Sequence, residues 1–71
     1  MSFQVGDYLR NKYDKQVFII LEIHRYMPNS YRINIIKDSN GEDYVDPHQS
    51  IWITVHSGHH LVLTDLEKAL L

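Results

Sequence analysis

A Val5-Gly6-Asp7 bend stands a few residues ahead of the alternating run Val17–His24, and this pairing constrains the fold more than any other feature. Gly supplies backbone freedom and Asp bonds the amides that follow, so the bend breaks a short apolar segment of Phe3, Val5 and Tyr8 or Leu9. The polar stretch Arg10–Gln16 reads as a loop. Val17, Ile19, Leu21 and Ile23 then alternate with Phe18, Ile20, Glu22 and His24, the period of a strand. In this phase Val17, Ile19 and Leu21 face the core. Phe18 and Ile20 leave the first half of the strand apolar on both faces, which requires cover on both sides.

The same period recurs further along. Tyr31, Ile33 and Ile35 alternate with Arg32 and Asn34 after a turn at residues 26–30. Asn40-Gly41 is a hairpin signal, because both residues tolerate positive φ. Its returning strand is 43–45, stopped by Asp46-Pro47 because proline cannot donate to a ladder. Ile51, Ile53 and Val55 alternate with Trp52, Thr54 and His56; Ser57-Gly58 turns the chain, and 61–63 returns. Thr64-Asp65-Leu66-Glu67 has the form of a helix capping box. It predicts a helix over about 65–71, too short to stand alone and expected to dock through Leu66 and Leu70.

Seventy-one residues make a single domain, 1–71, with little surface to bury and no Cys to staple it. The expectation is a mainly β, five-stranded, strongly bent barrel with a short C-terminal helix. The segments Phe3-Gln4-Val5-Gly6-Asp7-Tyr8-Leu9 and Val17–Ile23 resemble the SH3-like small β-barrel superfamily, which includes KOW-type, Tudor-type and small bacterial or phage domains. The resemblance covers about a third of the chain and implies a binding role, to nucleic acid, ribosomal components or peptides. Fold alone does not choose among these.

Several function classes are excluded or disfavoured. No apolar run is long enough to span a bilayer, and Met1–Arg10 lacks the basic start and apolar stretch of a signal peptide, so the expected location is cytoplasmic and away from membranes. The serines lack a nucleophile elbow, the glycines stand alone rather than in a phosphate loop, and a barrel this small leaves little room for a substrate. The chain is therefore expected to be no enzyme and to carry no cofactor. His56, His59 and His60 surround a turn with His48 upstream, but their spacing fits no structural zinc site. No metal is expected there. Residues 1–37 carry six bases against three acids, and residues 38–71 one base against six acids. An interleaved sheet mixes such halves in space.

Two surfaces remain. Trp52 lies in the phase opposite Ile51 and Ile53, and so faces outward as a protein-binding anchor. Phe18 and Ile20 add apolar surface beyond what one core and one short helix need. The leading expectation is a non-enzymatic interaction module, of the kind a small bacterial or phage regulatory protein would be, binding another protein or forming a homo-oligomer through Trp52, Phe18 and Ile20. The alternative is nucleic-acid binding through Tyr8, Arg10, Lys12, Tyr13 and Lys15, where rings can stack on bases and cations can neutralise phosphates. The acidic pI of about 6.2 speaks against it. A narrower version of the first is an acidic mimic of nucleic acid built on Asp38, Glu42, Asp43 and Asp46.

Overall fold

The computed structural model describes residues 3–44 and 50–71. Among the described residues five strands, β1 (Tyr8–Asn11), β2 (Val17–Ile23), β3 (Ser30–Lys37), β4 (Ser50–Thr54) and β5 (His60–Val62), precede one helix, α1 (Asp65–Ala69). They form a single antiparallel sheet in the order β4-β3-β2-β1-β5. The chain is thus mainly β with a short helix. The ladder ends on two different strands and does not close among the described residues.

Local chemistry explains the boundaries. Gly6 adopts φ 93°, and the Asp7 carboxylate accepts the Gln4 N–H at 2.9 Å, closing the opening bend. The chain then enters β1, which takes in Arg10 and Asn11 from the expected loop. At the hairpin, Gly41 takes φ 83° and Asp38 Oδ1 accepts the N–H groups of Asn40 and Glu42. The returning segment bridges β3 only at Asp43; Val45, Asp46 and Pro47 lie outside the described residues. Around α1 the capping box is complete: Glu67 N–H donates to Thr64 Oγ1 at 3.2 Å and Thr64 N–H donates to Glu67 Oε1 at 3.1 Å.

The core corrects the expected phase of β2. Phe18 and Ile20 are fully buried, together with Leu9, Ile33, Val55, Tyr31 and Phe3, and Ile35 and Ile53 pack against them. Ile19 and Leu21 are only partly buried, and Ile51, expected inside, is 43% exposed. The reason lies in the strands on either side. Phe18 sits between Leu9 of β1 and Ile35 of β3, whereas Ile19 sits between Tyr8 and Asn34, and Val17 between Arg10 and Lys37. Cross-strand partners share a face, so the apolar neighbours draw Phe18 inward. A register shift between Ile20 and Glu22 then places Leu21 at an irregularity and returns Ile23 to the inner phase, opposite Tyr31.

Val17 is buried all the same, on the other face. With Leu63, Arg10, Glu67, Leu70 and Leu71 it lines a shallow depression of about 190 Å³ beside α1. The expected docking of α1 through Leu66 and Leu70 is not found. These side chains are 73% and 79% exposed, and the helix reaches β1 instead through the Arg10–Glu67 ion pair at 3.5 Å and Lys68, whose Nζ lies 5.9 Å from the Tyr8 ring centroid.

Candidate interaction surface

Strand alternation places Glu22, Arg32 and Trp52 in one row across the outer face of β2, β3 and β4. Arg32 Nε donates to Glu22 Oε1 at 3.0 Å and Nη1 to Ser50 Oγ at 3.1 Å, which ties the guanidinium to both neighbouring strands. Trp52 ends the row, 46% exposed. Its ring meets His24 edge to face, with centroids 5.2 Å apart, and His24 meets Tyr26 at 6.3 Å. His24 Nδ1 accepts the N–H groups of both Tyr26 and Met27 at 3.1 Å, so this ring also shapes the β2–β3 turn. Tyr26 and Met27 are themselves exposed. Trp52 is thus linked through His24 to a turn that carries exposed Tyr26 and Met27, residue types common in protein contacts.

Phe18 and Ile20 do not belong to this surface. Both side chains are wholly enclosed by the core, so neither can touch a partner while the domain is folded. The sequence pattern missed this because both phases of β2 are apolar there. Conversely, the parts played by His24, Tyr26 and Met27 depend on the β2–β3 turn packing back on β4, which no local pattern announces.

The alternative residues are spread over β1 and the loop that follows it. Tyr8 and Arg10 share the outer side of β1; Lys68 Nζ lies 5.9 Å from the Tyr8 ring centroid, and Arg10 pairs with Glu67. Lys15 lies against Gly41, where an added Cβ would come within 3.0 Å of its Cδ. Tyr13 packs edge to face on His59, at 5.4 Å, and Lys12 N–H donates to the His59 carbonyl. Tyr31 is buried in the core and presents no ring for stacking. The charge halves also mix: Arg10–Glu67 and Lys37–Asp43 each join a base of the first half to an acid of the second. Of the acidic set, Asp38 is occupied in the hairpin and Asp43 with Lys37, while Asp46 lies outside the described residues.

The histidine turn is structural in its contacts. His59 faces Tyr13 and His56, whereas His60 packs on Phe18 at 5.3 Å and places Nδ1 3.3 Å from the His56 carbonyl oxygen. Burial holds the His60 imidazole below its ordinary pKa, against the raising effect of that carbonyl, and the neighbouring His59 and His56 add to the lowering. Glu67 is also held low, first by the Thr64 N–H, then by the Thr64 hydroxyl and, more weakly, by Arg10. Among the described residues no three His, Asp or Glu side chains gather as metal ligands, and no helix is long and apolar enough to cross a membrane. No protein-family model, curated protein or solved structure matches this chain.

Proposed function

We propose that this domain is a non-enzymatic interaction module that binds protein, another chain or its own, through the Trp52 end of the outer sheet face. One observation carries the reading: a half-exposed Trp whose ring meets His24 edge to face, the same His24 that holds the turn carrying exposed Tyr26 and Met27. A large, half-exposed ring is a common anchor of protein contacts. A neighbouring ion pair, Arg32–Glu22, supplies a polar border. The strand order, with β5 returning beside β1, supports placing the fold with the SH3-like barrels, whose members commonly serve as binding modules. Localisation in the cytoplasm goes with this reading.

The test is affinity capture from host lysate by the intact chain and by Trp52→Ala, with and without nuclease. The reading expects a catch that survives nuclease and weakens on Trp52→Ala by about 2 kcal/mol or more in binding energy. A catch abolished by nuclease and indifferent to Trp52 would transfer the function to nucleic-acid binding.

A further inference from the structure

The outer edge of β4 has no strand partner among the described residues, and its sequence is Ser50-Ile51-Trp52-Ile53-Thr54. Natural edge strands are usually blunted with charge, proline or a bulge. β4 carries none of these, and two of its apolar side chains, Ile51 and Trp52, are more than two-fifths exposed. It is also nearly a palindrome about Trp52. Ile51 mirrors Ile53, and Ser50 mirrors Thr54.

The backbone agrees with that symmetry. Val55 N–H donates to the Asn29 carbonyl at 2.8 Å, and these two residues continue the β3–β4 register in which Tyr31 faces Ile53 and Ile33 faces Ile51. Hydrogen-bonded pairs alternate along an antiparallel ladder, so Ile51, Ile53 and Val55 spend their backbone groups on β3. Ser50, Trp52 and Thr54 therefore direct N–H and C=O groups to the open edge. An antiparallel neighbour related by a two-fold axis at Trp52 would match Trp52 with Trp52, and Ser50 with Thr54, each as a hydrogen-bonded pair. In that arrangement the two indoles lie side by side on the outer face, and Ile51 meets Ile53 on the inner face.

The geometry points to a second copy of this chain as the occupant of the β4 edge, joined by a two-fold axis through Trp52 into one continuous sheet. This deepens the protein-binding reading and rests on it. A five-residue edge buries less than the ~1,200 Å² of stable complexes, so the dimer forms reversibly and grows with protein concentration. No charge on either strand opposes the approach.

Cysteine cross-linking tests the register, because the chain has no Cys of its own. In a hydrogen-bonded pair the Cα atoms of Ser50 and the partner's Thr54 lie about 5.5 Å apart, within disulfide range. Two copies of Ser50 lie four residues apart along the strand, roughly 14 Å, out of range. Ser50→Cys and Thr54→Cys proteins are mixed and oxidised mildly, beside each variant alone. The expected result is a covalent heterodimer that accumulates in the mixture well ahead of homodimer in either single sample. Thr54→Pro provides a second reading: it removes an N–H that β3 does not use, so sedimentation should show loss of the dimer with the thermal midpoint retained. Equal cross-linking in all three samples, or a wild-type chain monomeric up to its solubility limit, overturns the two-fold pairing. If a foreign protein is still captured through Trp52 in that case, only the dimer falls; if that capture fails too, the interaction reading falls with it.

Discussion

Trp52 and His24 meet edge to face with ring centroids 5.2 Å apart, and the same His24 ring accepts two backbone N–H groups from the turn that carries Tyr26 and Met27. One imidazole thus connects the shape of a turn to the orientation of the exposed tryptophan. Replacing His24 by Ala should cost about 1–2 kcal/mol, the worth of two ordinary hydrogen bonds, and should loosen Trp52. Denaturant unfolding and Trp52 fluorescence anisotropy in the folded state read the two effects separately.

The corrected phase of β2 gives a sharp contrast between adjacent residues. Ile20→Ala empties a fully buried site and should cost about 2–5 kcal/mol, enough to unfold much of so small a domain. Ile19→Ala, on the partly buried outer face, should cost clearly less. Equal midpoint losses for the two variants would contradict the placement of Phe18 and Ile20 in the core.

Thr64 closes the capping box of α1, and Thr64→Ala should lower stability by about 1 kcal/mol while Thr64→Ser preserves most of it. The helix also positions Glu67 for Arg10, so the Ala variant should disturb the amide signals of Arg10 and Val17 beside the shallow depression. Heteronuclear NMR of the two variants checks both statements.

Acidification should destabilise the domain through His60 before it acts through Glu67. Burial lowers the folded His60 pKa, so the unfolded chain binds a proton more readily. Stability gained by keeping the ring neutral is present above the unfolded value, about 6.5, and declines as pH falls from there through the lower folded value. Glu67, also lowered on folding, contributes stability that is lost only in the more acidic carboxylate range. His60→Gln should flatten the first decline in midpoint and leave the second, as seen in thermal melts between neutral and acid pH.

Sequence and structure agree most closely where a single phase or a local bond decides the outcome. β3 alternates apolar with polar side chains, so Ile33 and Ile35 were legible as inner residues, while the burial of Tyr31 was not. The cap of α1 rests on bonds within a few residues of one another and is found as expected; the turn at Asn40-Gly41 is also found, with Gly41 alone of the pair at positive φ and the return reduced to a bridge at Asp43. β2 is different. Its two phases are equally apolar from Val17 to Leu21, and only the neighbours contributed by β1 and β3 choose between them. Trp52 was legible as outward because its β4 neighbours alternate with it, but its setting against His24 was not, since that contact joins residues far apart in sequence. The exposure of Leu66 and Leu70 was hidden for a similar reason: the amphipathic pattern shows that they are apolar, not that a sheet face waits for them.

Salt separates the two surfaces. Binding through Arg10, Lys12 and Lys15 would release counterions, and affinity for plain DNA or RNA would fall steeply as salt rises. A contact centred on Trp52 should be nearly indifferent to salt. Because Arg10 is already paired with Glu67 and the net charge is −2, the isolated domain should show no salt-sensitive affinity for nucleic acid, and Lys12→Ala with Lys15→Ala should leave partner binding unchanged.

Trp52 is the chain's sole tryptophan, so its emission reports on the β4 surface alone. The most direct measurement is the emission maximum and acrylamide quenching of Trp52 across a wide range of protein concentration, repeated with single-stranded DNA added at low salt. Protein contact through Trp52 to a second copy predicts a blue shift and loss of quenching as concentration rises, with no response to DNA. Emission that stays constant with concentration but shifts on adding DNA, and recovers in high salt, would contradict it.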